Sequence, residues 1–152
     1  VRLANKKGFA LKTKEEPKAD AKNDTYANLR TYGDRERSGI VNSIPGAIYK
    51  MSLDNTHPLA FGYPNFYYSL KLDAQTYSFL ENGWNVGYIK KDNYVTGFAG
   101  VNTKKKIQDA TLFGVEDMGR GTVVYLADNP LFRSFWENGK LLFSNAVFLV
   151  GQ

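Results

Sequence analysis

Residues 46–53, GAIYKMSL, alternate apolar and polar side chains, and that period of two predicts a strand with one buried face. Phe66 to Leu72 (FYYSLKL), Tyr77 to Leu80 and Trp84 to Ile89 (WNVGYI) read as further short strands, so the middle of the chain is a meander. Asn82-Gly83 separates the last two as a hairpin signal. Tyr94 to Ala99 reads as a short edge strand and Lys104 to Ala110 as a polar surface segment. ATLFGV, residues 110–115, is an apolar run that stops at a turn over 116–121. Upstream, Asp34 is placed to cap a short helix that runs to about Val41 and ends before Pro45. DNTHP, residues 54–58, is a turn, and Gly62 and Pro64 break the LAFGYP segment after it.

The sharpest unit closes the chain. Thr122 to Ala127 (TVVYLA) is a continuous apolar run, as expected of a strand covered on both faces. Asp128-Asn129-Pro130 supplies an N-cap followed by Pro at the first helical position. Phe132, Phe135, Trp136, Gly139, Leu142, Phe143, Ala146 and Val147 then recur at helical spacing and predict one wide apolar face. Gly139 on that face permits close packing against a sheet. A buried strand, a cap and an amphipathic helix in succession predict an open α/β sandwich.

Charge changes the picture at the front. Residues 1–37 hold ten Lys and Arg against six Asp and Glu, while the remaining residues hold ten against nine. Residues 12–25, KTKEEPKADAKNDT, read as a charged loop or linker behind a helix remnant and short strand over 1–11. Domain organisation therefore divides into 1–25, helix remnant and linker, and 26–152, the folded part. Val1 reads as the start of a fragment or processed product. A basic excess confined to a leading segment favours solvated surface over a nucleic-acid footprint, and no run of about 20 apolar residues marks a membrane span. Asn23 to Thr25 form a glycosylation triplet of a kind that also arises by chance.

The 152 residues include no Cys and one His, His57, which removes thiolate nucleophiles, thiolate metal sites and two-His zinc sites together. His57 beside Asp54 resembles a base and its orienter, but no GxSxG elbow accompanies them. A structural His before a turn is the stronger reading. GRG at 119–121 precedes a strand, whereas the dinucleotide fingerprint comes after one, and no phosphate-binding loop, HExxH or EF-hand pattern occurs. Asp128 and Asn129 stand at the end of the predicted buried strand, where open α/β sheets bind ligands, with Arg133 one turn on to hold an anion or pair with Asp128. His57, Asp128, Asn129 and Arg133 are thus the candidate ligand-binding residues. A cap with an internal ion pair is the competing reading of the last three. The Lys104-Lys105-Lys106 triplet reads as a solvated face.

Three stretches, RERSGIVNSIPGAIYK (35–50), DNTHPLAFGY (54–63) and GRGTVVYLADNPLFRSFWENGKLLFSNAVF (119–148), resemble the C-terminal region of Bacteroidetes-type zinc carboxypeptidase-like proteins. The resemblance covers roughly residues 30–152. It implies a peptidase domain upstream and, here, the C-terminal part of a class I glutamine amidotransferase-like domain, a flavodoxin-like three-layer α/β sandwich. It also implies a secreted or periplasmic setting. That family's zinc ligands belong to the peptidase domain, and nothing in this chain matches them, so no cofactor is expected in this chain. The amidotransferase Cys and His-Glu pair are missing too, and fold likeness without the site carries no activity.

The expectation is therefore a non-catalytic accessory domain. Its partner would be the upstream peptidase domain of the same polypeptide, and its ligand a peptide or cell-wall-derived substrate. A ligand- or glycan-binding module using exposed Tyr and Trp is the alternative. A minimal hydrolase built on His57 and Asp54 is the third reading.

Overall fold

A computed structural model describes residues 4–14, 29, 31–91 and 93–152. Its elements run α1 (Tyr32–Val41), β1 (Gly46–Leu53), β2 (Phe66–Lys71), β3 (Trp84–Ile89), β4 (Tyr94–Phe98), α2 (Val101–Ile107), β5 (Ala110–Met118), β6 (Gly121–Leu126) and α3 (Glu137–Phe148). Single-turn helices stand at Pro58–Ala60 and Phe132–Ser134. The residue pattern predicts β1 and β3 with their observed bounds. In α1 the cap is Thr31, whose hydroxyl accepts from the Asp34 amide and donates to the Asp34 carboxylate at 2.6 Å. Asp34 is the third residue of the helix and not the cap itself.

The six strands form one sheet in the order β2-β1-β3-β5-β6, with β4 also on β1. Each of these strand pairs is antiparallel. β3 and β4 succeed one another along the same side of β1: Gly87 and Tyr88 face Leu53 and Ser52, then Tyr94 to Phe98 face Tyr49 to Gly46. The β1–β4 register shifts between Ile48 and Tyr49, whose partners step from Thr96 to Tyr94, and Asn93 accepts from the Lys50 amide and donates to the Lys50 carbonyl. Bulges of this kind sharpen twist and bend a sheet. Here the sheet curls into a half-barrel.

The fold is mixed α/β, but the sheet is curled and antiparallel with few helices, which does not confirm the flavodoxin-like three-layer sandwich expected from sequence. The reason lies in which strand is buried. The strand with an unbroken buried stretch is β5, from Ala110 to Val115, whereas β6 is an edge strand and mostly half-exposed. One face of β5 sends Phe113 against Tyr67 of β2, ring centroids 5.4 Å apart and edge to face. On the other, Leu80 lies over Gly114, where a Cβ would come within 2.6 Å of its Cδ1. Leu11, Tyr77, Leu80 and Tyr125 form a second small core there, and Phe9 and Ala10 pack against it.

Residues 4–11 therefore hold turns, not a helix remnant, and Leu11 is fully buried. Thr13 bridges Tyr77, which bridges Thr111 of β5 in turn, so Tyr77 is a single bridge where a strand was expected. Residues 15–25 of the expected linker, with the Asn23 triplet, lie outside the described residues. Lys104 to Ile107 belong to α2, which buries Thr103 and Ile107, so this segment is more than a polar surface. Lys104 sits over the Tyr94 ring at 3.7 Å.

The apolar repeat after Pro130 does not form one helix. Arg133 and Ser134 take left-handed φ of 49° and 59°, which breaks the run, and α3 begins at Glu137. Gly139, Leu142 and Asn145 are buried, while Phe135, Leu141, Phe143, Val147 and Phe148 are exposed. Polar bonds fix the buried side. Asn145 donates to the carbonyls of Leu59 and Phe61 at 3.1 and 2.8 Å, and the Tyr63 hydroxyl accepts from the Leu142 amide at 2.8 Å. α3 therefore docks on the Pro58–Ala60 turn and Tyr63, and not flat on the sheet.

Candidate functional site

The sequence candidates separate into two places. Asp128 comes after β6, at one edge of the curled sheet, and there it meets β2 from the opposite edge. Its Oδ1 accepts from Lys71 Nζ at 2.8 Å and its Oδ2 from the Ser69 hydroxyl at 2.6 Å. Lys71 Nζ also donates to the Gln75 carbonyl at 3.0 Å. Lys71 is 1% exposed and Asp128 9% exposed. Two opposite charges held this far from water must satisfy one another, since each alone costs several kcal/mol to bury. The cluster thus closes the half-barrel. Burial, with smaller contributions from Tyr63 and Asp128, pushes the neighbouring Tyr67 hydroxyl well above the usual tyrosine range.

The expected ion pair of Asp128 is present with a different partner. Arg133 instead has its guanidinium 5.2 Å from the centre of its neighbour Phe132's ring. Asn129 caps only a local turn, its Oδ1 accepting from the Leu131 amide at 2.9 Å. Asp128, Asn129 and Arg133 thus each engage a different neighbour.

His57 lies elsewhere. It caps the turn at Pro58, its Nδ1 accepting from the Leu59 amide at 3.0 Å. That bond occupies the Nδ1 lone pair, which places the proton of the neutral ring on Nε2 and leaves no free lone pair for a base. Asp54 does not orient the ring: its Oδ1 accepts from the Thr56 amide and hydroxyl at 3.1 and 2.6 Å. These bonds to Thr56 hold the Asp54 carboxyl below its usual range, against a smaller opposing effect of burial. Burial lowers the His57 pKa, with Asp54 and Asp117 opposing.

The folded state thus disfavours the charged imidazole, so the unfolded chain binds more protons below about pH 6.5 and stability falls on acidification there. His57→Asn keeps a side-chain oxygen for the cap and removes the titration. Denaturant midpoints measured between pH 5 and 8 should fall less toward acid in His57→Asn than in the wild type; equal slopes would contradict this assignment.

Trp84, at the start of β3, faces His57 with ring centroids 6.2 Å apart. It is 57% exposed. With the Glu81-Asn82-Gly83 turn and Glu116 and Asp117 of β5 it lines an open cleft of about 380 Å³. The turn is held by Asn85, which accepts from the Leu80 amide and donates to its carbonyl at 2.8 and 3.0 Å. Gly83 needs its φ of 132°, and a Cβ there would strike the Val115 carbonyl at 2.5 Å.

Glu116 is fixed by the Ala10 amide at 3.0 Å and the Tyr125 hydroxyl. Burial, and then the bond to Glu116, push the Tyr125 hydroxyl up to about 12. Asp117 accepts from the Thr122 hydroxyl at 3.1 Å. The cleft thus presents an exposed indole on the strand face that also carries Asp117, a surface suited to ammonium groups or sugar hydroxyls. Exposed aromatics are expected from the sequence as a class, but nothing in the pattern of residues singles out Trp84. Its place beside the Asn82-Gly83 turn is the available signal.

No family model, curated protein or solved structure matches the chain. Among the described residues no group of His, Asp and Glu is arranged to hold a metal ion. No helix among them is long and apolar enough to cross a membrane.

Proposed function

We propose that this chain is a non-catalytic accessory domain of a secreted or periplasmic zinc carboxypeptidase-like protein, one that supports the peptidase domain and presents its peptide substrate. The resemblance of residues 35–50, 54–63 and 119–148 supplies the family context. The observation that carries the reading is the Trp84 cleft. An exposed indole in a cleft also lined by Glu81 and Asp117 offers stacking and charge to a ligand. Asp128 and the Nδ1 of His57 are held by the fold. The outer side of α3 supports the structural half of the role: Leu141, Phe143, Val147 and Phe148 are all exposed there, apolar surface suited to a neighbouring domain.

The same cleft favours a second reading, a glycan-binding module, because a flat exposed indole also stacks on sugar rings. One titration separates the two. Tryptophan fluorescence is followed while the protein receives either short peptides with free ammonium groups or cell-wall oligosaccharides, with Trp84→Ala as the control. The accessory reading expects a saturable response to the peptides that Trp84→Ala abolishes. Saturation by oligosaccharides alone would replace it with the glycan module. No response to either ligand would overturn both.

A further inference from the structure

We propose that Lys71 and Asp128 condense into an intramolecular amide, a covalent bond from Lys71 Nζ to Asp128 Cγ that joins β2 to the segment after β6. Four observations meet at this point. Nζ lies 2.8 Å from Asp128 Oδ1, in contact with the carboxyl group it would attack. Both residues are buried, so the pair is held out of bulk water, which would otherwise favour hydrolysis. Ser69 Oγ donates to the other oxygen, Oδ2, at 2.6 Å, where a tetrahedral intermediate would carry its negative charge. A second carboxylate, Asp73, stands with Oδ1 3.6 Å from Nζ.

The chemistry balances without a co-reactant. One proton passes along the Nζ–Oδ1 hydrogen bond, giving an amine and a carboxylic acid. The nitrogen lone pair attacks Cγ and the electron pair of the C=O bond moves onto Oδ2, held by Ser69. Asp73 takes a second proton from the nitrogen and returns it to Oδ1, and the Cγ–Oδ1 bond breaks to release one water. The carbonyl reforms at Oδ2 and one proton remains on the amide nitrogen. Two buried charges become one neutral amide, which removes the desolvation cost that an ion pair at this site carries. Holding the two groups in contact supplies the effective concentration the reaction needs. The bond closes a loop between positions 57 residues apart and converts the polar closure of the half-barrel into a permanent one.

Mass spectrometry of the intact wild-type protein, denatured before measurement, tests this without any variant having to fold. The expected mass is one water below that of the sequence, and proteolysis should yield a branched peptide containing both Lys71 and Asp128. Asp128→Ala should return to the full mass of its sequence, and Asp73→Asn should leave part of the protein unreacted. Wild-type protein at its full sequence mass overturns the proposal. A deficit of one water carried by a single linear peptide, as a cyclised aspartyl residue would give, overturns it equally.

Discussion

Lys71→Met should destabilise the fold by about 3–5 kcal/mol, the cost of leaving a buried partner charge uncompensated. Asp128 is 9% exposed, and its two oxygens accept from Lys71 and Ser69. Methionine matches the aliphatic stem of Lys71 but offers nothing to Oδ1. The Ser69 hydroxyl remains and cannot neutralise the charge. Denaturant unfolding should show the loss as a lower midpoint. Because the pair ties β2 to the chain beyond β6, hydrogen exchange should rise at both sheet edges while β5, which is not an edge strand, keeps its protection. Loss confined to one edge would mean that the closure is local.

Gly139→Ala ranks second in size. A Cβ at this position would overlap the carbonyl oxygen and carbon of Pro130. These are backbone atoms, which cannot swing aside as a side chain tip would. Forcing a methyl group into a close-packed contact costs typically about 1–3 kcal/mol and shifts the backbone. The shift acts on α3, whose Leu142 and Asn145 are docked further along the same helix. Alanine would ordinarily favour a helix by about 1 kcal/mol over glycine, so the expected sign opposes propensity. A thermal midpoint below that of the wild type is the result expected; a rise would show that α3 has room to move away from Pro130.

How far these features are legible in the sequence depends on whether local pattern or distant pairing decides them. β1 is set by its alternation, and Ala47, Tyr49, Met51 and Leu53 are all buried as a period of two requires. β2 shows where the same logic inverts. FYYSLKL would be turned with Phe66, Tyr68 and Leu70 inward on hydrophobicity alone. Instead Tyr67, Ser69 and Lys71 face the core and Tyr68 faces out. Only Asp128, far along the chain, makes that face tolerable. Alternation does put Lys71 on the face of Tyr67, but nothing local marks it as a buried lysine.

The end of the chain departs from expectation for a related reason. TVVYLA is apolar throughout, yet it occupies a sheet edge; position in a sheet is set by the order of pairing, which composition does not encode. Gly139 is a close-approach residue, as its place on the apolar face predicts, but the surface it approaches is the carbonyl of Pro130 and not the sheet. Asp128 stands out in the sequence for its place after an apolar strand. That place is right, and the group it holds comes from the opposite edge.

Asp128 serves the closure of the half-barrel through Lys71, and a double-mutant cycle over Lys71→Met and Asp128→Leu, read by denaturant unfolding, measures that coupling directly. Each single change should be severe, and the double variant should lose far less than the sum of the two, because no lone charge is left buried. Costs that simply add would contradict the closure and return Asp128 to the residues free to meet a ligand.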